Sequence, residues 1–245
     1  MGHGQDRLHY AITPRFAPAC SDAQLALAGR LAAEFPDALV HTHLAEHPDE
    51  VAWVARLFPE SRSYLDVYRT AGLLRERAVF AHCLHLDDTD CGDLATAGAA
   101  AAFCPSSNLF LGSGLFDLAR LRGHGARVGL ATDVGAGTSL SLLRTAGEAY
   151  KVLQLKGQPL PAWRGLYLAT LGAAEALYMD DFLGNFRPGK EADFIVLDAG
   201  PNAALAARLA ATDGLAEVLF VQFALGDERS VAATYILGEC RYQRP

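Results

Sequence analysis

Two histidines, a glutamate and an aspartate stand where apolar segments of the sequence end. His43 ends ALVHTH, His82 ends AVFAH, Asp133 ends VGLATD, and Glu46 follows His43 by three residues. Two imidazoles and a carboxylate form a ligand set suited to zinc, with a position left open for water. A water molecule ionised there needs a nearby group to carry its proton, and Glu46 is the candidate for that task.

Each of these residues also has a plainer interpretation. A histidine after an apolar strand is more often a hydrogen-bonded core group, and an aspartate before a glycine loop is usually a turn residue or a helix cap. The order His43, His82, Asp133 on successive strand ends favours the metal site. His41 shares a strand face with His43 but lies two residues, roughly 6.6 Å, further into the strand. We therefore expect His41 to fill the interior of the fold.

The segments that must position these residues alternate between strand and helix. Short apolar runs predict strands at 9–14, 38–43, 78–83, 99–104 and 128–133. Helical spacing predicts helices at 21–35, 49–57, 64–71, 87–97 and 115–122. Nearly continuous apolar strands that alternate with helices indicate a parallel sheet buried on both faces.

Polar residues gather at the same end of each predicted strand, which is typical of the catalytic face of a (β/α) barrel. They are Arg15, His43, His82, a turn at Ser106–Asn108, and Asp133. In that turn, part of a turn-rich loop predicted at 105–114, Asn108 is expected to form an Asx-type turn.

The predicted fold class is α/β, a (β/α)8 TIM-type barrel that is incomplete here, with about five strands. Helices are predicted around 139–155 and 162–177, and strands of a small separate sheet at 188–198 and 231–240. We expect a partial metal-dependent hydrolase barrel at 1–182 and the carboxyl-terminal part of a small β-sandwich at 183–245.

The composition of the chain favours a small molecule as its binding partner. The 245-residue chain is 51% hydrophobic and carries a net charge of -7 without a basic run, which argues against nucleic acid and anionic membranes. Its five cysteines lack CxxC spacing, so we expect reduced thiols in the cytoplasm. We expect no signal peptide, and the printed sequence contains no apolar run of membrane-spanning length.

Five longer segments carry a resemblance. They are ITPRF (12–16), THLAE (42–46), FCPSSNLFLGSGLFDL (103–118), LATDVGAGTSLSLLRTAGEAYKV (130–152) and PGKEADFIVLD (188–198). Together they resemble the guanine deaminases, zinc enzymes of the amidohydrolase superfamily. The last segment and the His, His, Asp order are general to the superfamily, whereas ITPRF and the long segment at 130–152 are specific to guanine deaminases.

The resemblance implies roles for the strand-end residues. His43 and Asp133 would bind one zinc ion, and His82 would bind it or hold the attacking water. Asp133 would accept the proton of that water. Glu46 would protonate the ring nitrogen of the substrate and help ammonia to leave.

The resemblance also implies the substrate, guanine, and the products, xanthine and ammonia. Arg15 and Phe16 would grip the purine, since a guanidinium can donate to a carbonyl oxygen and an aromatic ring can line the face of the base. His43, Glu46 and Asp133 would also contact it. The alternative is a related purine or pterin amidohydrolase. Full-length members are expected to be homodimers. Zinc deaminases of another fold carry H-x-E and P-C-x-x-C, which this sequence lacks.

One departure from the family concerns the first barrel strand, which supplies an H-x-H pair of zinc ligands ahead of the ITPRF segment. Here only MGHGQDRLHYA precedes that segment. We therefore expect the carboxyl-terminal part of a guanine deaminase, lacking about three strands, and an inactive remnant is the second hypothesis. His3 is a formal candidate for a missing ligand.

Overall fold

A computed structural model describes residues 7–245 of the chain. Contacts divide the chain into two compact units. The first comprises Met1–Phe103 and Leu111–Val128, and the second comprises Cys104–Phe110 and Gly129–Pro245. This division follows contacts alone, and the domain boundary after residue 182 stays a prediction.

Eight strands lie within the described residues, in two sheets. The five-stranded sheet has the order β1-β2-β3-β4-β5, and the three-stranded sheet the order β6-β7-β8. The strands are β1 (Ala11–Ile12), β2 (Leu39–Leu44), β3 (Ala78–His82), β4 (Ala100–Phe103), β5 (Arg127–Leu130), β6 (Phe194–Leu197), β7 (Val231–Ile236) and β8 (Glu239–Gln243). The pairs β1–β2, β2–β3 and β3–β4 are parallel, and the pairs β6–β7 and β7–β8 are antiparallel. The predicted α/β class, with a parallel sheet and a small separate sheet, is confirmed.

Helices connect the parallel strands and make up much of the second unit. They are α1 (Asp22–Glu34), α2 (Pro48–Leu57), α3 (Tyr64–Thr70), α4 (Asp88–Thr96), α5 (Pro105–Phe110), α6 (Leu118–Gly123), α7 (Leu142–Leu155), α8 (Ala162–Ala169), α9 (Leu171–Ala176), α10 (Ala203–Leu209) and α11 (Leu215–Leu225). Short 3-10 turns lie at Ala17–Ala19 and Glu228–Ser230.

Side-chain caps fix where the helices of the first unit begin. Ser21 and Gln24 form a reciprocal capping box at the start of α1, while Ser63 caps α3 and Asp87 caps α4. Each cap satisfies a backbone N–H that has no partner within its own helix. The helices therefore start at defined residues after the strands, and the strand ends stay free for other side chains.

The face of the parallel sheet that contacts Tyr68 of α3 is packed with large apolar side chains. Val40 and Leu44 of β2, Phe80 of β3 and Phe103 of β4 are all 0% exposed. Phe103 also stacks on Phe116, with ring centroids 4.3 Å apart. This packing holds β2, β3 and β4 in register, so their carboxyl ends lie side by side.

The loop predicted at 105–114 is wrong in its first half, where the structure has helix α5. Pro105 opens the helix, a position where the missing N–H of proline costs nothing, and Asn108 N donates to Cys104 O at 3.0 Å. Asn108 is 1% exposed within this helix, and its predicted Asx-type turn stays a prediction. Proline, serine and asparagine favour turns and helix starts alike, and burial decided between the two.

The carboxyl-terminal tail also differs from the prediction, which contained strands alone. Helices α10 and α11 lie between β6 and β7. Leu205 and Leu209 of α10 pack against Val221 of α11 in a small apolar cluster. The second predicted strand is a hairpin, in which Leu237 and Gly238 adopt positive φ between β7 and β8. The sequence LAEVLFVQFAL of α11 is apolar on nearly all sides, so it lacks the helical periodicity that would have identified it.

Among residues 7–245, no helix combines the length and the apolar character required to cross a membrane.

Gly29 in α1 provides a test of the packing in the first unit. A Cβ at this position would lie 1.8 Å from Ala71 O, whereas a Cβ at Gly92, inside α4, would meet only His124 Nδ1 at 3.8 Å. We expect Gly29→Ala to lower the free energy of unfolding by about 2 kcal/mol. Gly92→Ala should raise it by up to about 1 kcal/mol, the ordinary helix preference for alanine.

Urea denaturation of both variants beside the wild type measures these changes. Equal stability of Gly29→Ala and the wild type would show that the backbone contact with Ala71 is absent in solution.

Candidate active site

The backbone carbonyl of Arg15 accepts three hydrogen bonds from the end of β2. Thr42 Oγ1 donates at 3.1 Å and the backbone N–H of His43 at 3.2 Å, while His43 Nδ1 lies 2.6 Å from the same oxygen. A carbonyl oxygen only accepts, so the contact with Nδ1 requires that this nitrogen carry the ring proton. In the neutral ring the lone pair is then on Nε2, the arrangement found in metal-binding histidines.

Tyr68 of α3 makes a second set of bonds to the same strand end. Its hydroxyl donates to His43 O at 2.8 Å, accepts from the backbone N–H of Ala17 at 3.0 Å and lies 3.1 Å from Thr42 Oγ1. The side chain is 0% exposed. Burial raises the pKa of Tyr68 to about 12, so the hydroxyl keeps its proton at neutral pH and can act as the donor.

His82 and Glu46 meet beside His43. In the register of β2 and β3, His43 pairs with Ala81 and Leu44 with His82. The rings of His43 and His82 stack with centroids 5.4 Å apart at 24°. The His82 side chain is 1% exposed, and its Nε2 lies 3.5 Å from Glu46 Oε2. An imidazole pair and a carboxylate therefore share the carboxyl end of the sheet.

Four residues at this end of the sheet adopt the left-handed backbone conformation. Ala45 has φ 49°, His82 φ 74°, Cys83 φ 53° and Asp133 φ 50°. Residues other than glycine rarely adopt this conformation, which costs free energy and is concentrated at functional sites. The N–H of Cys83 donates to Leu44 O at 2.9 Å, a bond that holds the turn after β3 against the end of β2.

The loop after Asp133, in the second unit, folds tightly around its own backbone. Gly137 N donates to Asp133 O at 2.6 Å, and a Cβ on Gly137 would lie 1.8 Å from Thr132 O, so only glycine fits there. Thr138 bonds to Ser106 of α5 twice, through its N–H at 3.0 Å and its hydroxyl at 2.9 Å. These bonds fix the loop and the conformation of Asp133.

The predicted purine-binding residues lie just after β1. The Arg15 side chain is exposed, and its guanidinium carbon lies 5.7 Å from the centroid of the Phe16 ring. Phe16 in turn makes an edge contact with Trp53 of α2, at 6.2 Å between centroids. Trp53 was missed in the sequence because it occupies an ordinary position on an amphipathic helix.

Glu50 is a second carboxylate that the sequence did not identify. It lies in the first turn of α2, and its Oε1 is buried without a hydrogen-bond partner among residues 7–245. Burial raises the pKa of Glu50 above its usual range, and the nearby Tyr64 hydroxyl opposes part of that shift. An acidic residue in a first turn normally signals only the helix dipole, so nothing in the sequence marked it.

The structure brings together two of the three predicted ligands, since the rings of His43 and His82 stack within the first unit. Asp133 lies in the second unit. His41 is exposed, so the expectation that it fills the interior is wrong for this structure. His3 lies outside the described residues. The catalytic and binding roles of the site residues stay predictions.

Parallel strands with intervening helices, and ligand-type side chains at the carboxyl ends of those strands, define an α/β protein of the (β/α)-barrel class. The chain belongs to the amidohydrolase family, whose sequence profile matches residues 2–240.

Several characterised proteins are similar to the chain. Guanine deaminase from Escherichia coli is 50% identical over 242 residues, which are 99% of this chain and 55% of that protein. A solved structure of E. coli guanine deaminase gives a TM-score of 0.97 at 49% identity, covering 100% of this chain and 56% of the other. A solved structure of guanine deaminase from C. acetobutylicum with bound guanine gives a TM-score of 0.83 at 27% identity, covering 94% of this chain and 54% of the other. A solved structure of an adenosine deaminase from Xanthomonas campestris with bound zinc gives a TM-score of 0.82 at 25% identity, covering 94% of this chain and 51% of the other.

The chain thus spans little more than half the length of these relatives. These similarities support the assignment of the chain to the amidohydrolase family.

Glu50 gives a pH-dependent prediction. Because its folded-state pKa is raised, the stability linked to its protonated form is present below the ordinary carboxyl pKa of about 4.3 and is lost as the pH rises through the raised pKa. Glu50→Gln has no carboxyl group to ionise at this position, so the variant does not lose this stability as the pH rises. The variant should therefore gain stability relative to the wild type between about pH 4 and about pH 7.

Urea midpoints at the two pH values measure the difference, with Asp49→Asn as the control because the neighbouring Asp49 side chain is 95% exposed. A Glu50→Gln advantage that stays constant or shrinks with rising pH would show that the carboxyl is not buried in solution.

Proposed function

We propose that this chain carries the metal-binding and proton-transfer residues of a guanine deaminase, which hydrolyses guanine to xanthine and ammonia. One observation carries the proposal. The imidazoles of His43 and His82 stack with centroids 5.4 Å apart, and the carboxylate of Glu46 lies 3.5 Å from Nε2 of His82. The similarity to guanine deaminases from several organisms supports guanine as the substrate.

The donor set fits a zinc ion. The bond from His43 Nδ1 to Arg15 O leaves Nε2 free to coordinate, and imidazole and carboxylate are common zinc ligands. His43 and Asp133 would hold the ion, and His82 would hold it too or orient the attacking water. Bound zinc supplies Lewis acidity that ionises water near neutral pH.

The proton transfers fall to the two carboxylates. Asp133 accepts a proton from the attacking water as its oxygen bonds to the carbon that carries the amino group. Glu46 protonates the adjacent ring nitrogen, which allows that carbon to become tetrahedral. Asp133 gives its proton to the amino nitrogen, and Glu46 takes the proton of the added hydroxyl group as the carbonyl forms, which helps the carbon–nitrogen bond to break. Ammonia leaves, and both carboxyl groups return to their starting protonation states.

Arg15 and Phe16 are proposed to select the base. The guanidinium of Arg15 donates to the carbonyl oxygen of guanine, a group that adenine lacks, and the ring of Phe16 lies against the base. The contact of Phe16 with Trp53 keeps that ring in place. A pterin with a comparable carbonyl is the competing substrate.

Location, assembly and domain organisation are part of the same proposal. Five free thiols are in keeping with a reducing compartment such as the cytoplasm. A homodimer, and a barrel part that ends at residue 182, are inferred from the family resemblance.

The test is ammonia release by the 245-residue chain loaded with zinc. We expect turnover of guanine to exceed that of adenine and pterins. Glu46→Gln should lower kcat by about 100-fold or more, since general acid–base catalysis is worth at least that much, and should keep its zinc content. Glu60→Gln, an exposed change beyond α2, is the control.

Full turnover by Glu46→Gln would refute the role of Glu46. A folded, zinc-loaded chain without guanine turnover would overturn the proposal for this chain and favour the inactive remnant.

A further inference from the structure

Two tyrosines on successive turns of α3 have similar surroundings and different hydrogen bonds. Tyr64 is 4% exposed and Tyr68 is 0% exposed, and their rings stack with centroids 5.6 Å apart. The Tyr64 hydroxyl is buried beside the Glu50 carboxyl and the Tyr68 hydroxyl. The Tyr68 hydroxyl bonds to the candidate site, where it donates to His43 O and accepts from the N–H of Ala17.

The contacts of Tyr68 join two parts of the site that come from different elements. Through Ala17 N it holds the segment after β1 that contains Arg15 and Phe16. Through its bond to His43 O it holds the end of β2. The segment 15–17 is thus tied to β2 at both ends, by the Arg15 carbonyl and by Tyr68.

We propose that Tyr68 is a positioning residue that couples the purine-contact segment Arg15–Ala17 to the metal-ligand imidazole of His43. The inference rests on the proposed function for the roles of Arg15 and His43. Tyr68 touches neither substrate nor metal in this scheme, and it acts through the Arg15 carbonyl that fixes the His43 ring.

Loss of the hydroxyl has a defined consequence. The Ala17 N–H and the His43 carbonyl lose their shared partner, so the segment 15–17 can shift relative to β2. The Arg15 carbonyl then no longer faces Nδ1 of His43 in one fixed geometry, and the ring populates its other tautomer. A proton on Nε2 blocks coordination, so metal affinity and purine affinity fall together.

The experiment compares Tyr68→Phe with Tyr64→Phe in the 245-residue chain. Both changes remove one buried hydroxyl from the same helix and keep the ring and its stacking. Titration with Zn²⁺ and with xanthine should show binding weakened by about 10-fold or more in Tyr68→Phe, the usual effect of losing a group that orients a ligand. Tyr64→Phe should stay within about twofold of the wild type, since the bonds to Ala17 N and His43 O are made by Tyr68 and remain in this variant.

The tautomer of His43 gives a readout that a merely structural role would not change. Nitrogen-15 NMR of the imidazole in the metal-free chain should show the proton on Nδ1 in the wild type and in Tyr64→Phe. Tyr68→Phe should show a second, Nε2-protonated population. If Tyr68→Phe does not fold, Thr42→Val, which removes the 3.1 Å bond to the Arg15 carbonyl, should shift the tautomer in the same direction.

Tyr68→Phe that lowers thermal stability alone, with an unchanged His43 tautomer and unchanged affinities, would overturn the inference. A wild-type chain that binds neither Zn²⁺ nor xanthine would instead overturn the proposed function. In that case the tautomer comparison still decides whether Tyr68 positions His43.

Discussion

The site depends on one backbone carbonyl, that of Arg15, and on what it forces upon its neighbours. It meets the hydroxyl of Thr42 and both the N–H and the Nδ1 of His43. A carbonyl oxygen can only accept a hydrogen bond, so its contact with Nδ1 favours the tautomer of His43 that carries the ring proton on Nδ1. The tautomer that the proposed metal-binding role of His43 requires is therefore favoured by a peptide group 28 residues earlier in the chain.

Burial controls the protonation of two ionisable groups of the candidate site, Tyr68 and Glu50. The hydroxyl of Tyr68 holds its proton because its ionised form would be desolvated. The carboxyl of Glu50 is pushed towards its neutral form for the same reason. Glu46 keeps a side chain that is 17% exposed, so it retains the access to solvent that a group exchanging protons with water requires.

Much of the fold could be predicted from the sequence, because the parallel strands and their helices carry strong local patterns. The strands that end near His43 and His82 were placed within one or two residues, and so was α1 with its Ser21 cap. Helix α11 was not predicted, because a helix that is apolar on nearly all sides has no periodicity to detect.

The site was only partly predictable for a related reason. Residue types at strand ends indicate where chemistry can occur, so His43, His82, Asp133 and Glu46 could be named as candidates from the sequence. The contacts of Tyr68 and Glu50 depend on which face of α3 or α2 meets the sheet. No local pattern records that, because a tyrosine or a glutamate on an amphipathic helix has the same sequence context whether it orients a ligand or only packs.

The left-handed backbone at His82 and Asp133 sets stability against chemistry at two of the three proposed ligand positions. Glycine adopts this conformation without strain, and asparagine tolerates it better than most residues. A substitution to either residue would relax the backbone while removing an imidazole or a negative charge. Selection of this protein for heat resistance alone would therefore favour changes that remove the side chains proposed to bind zinc.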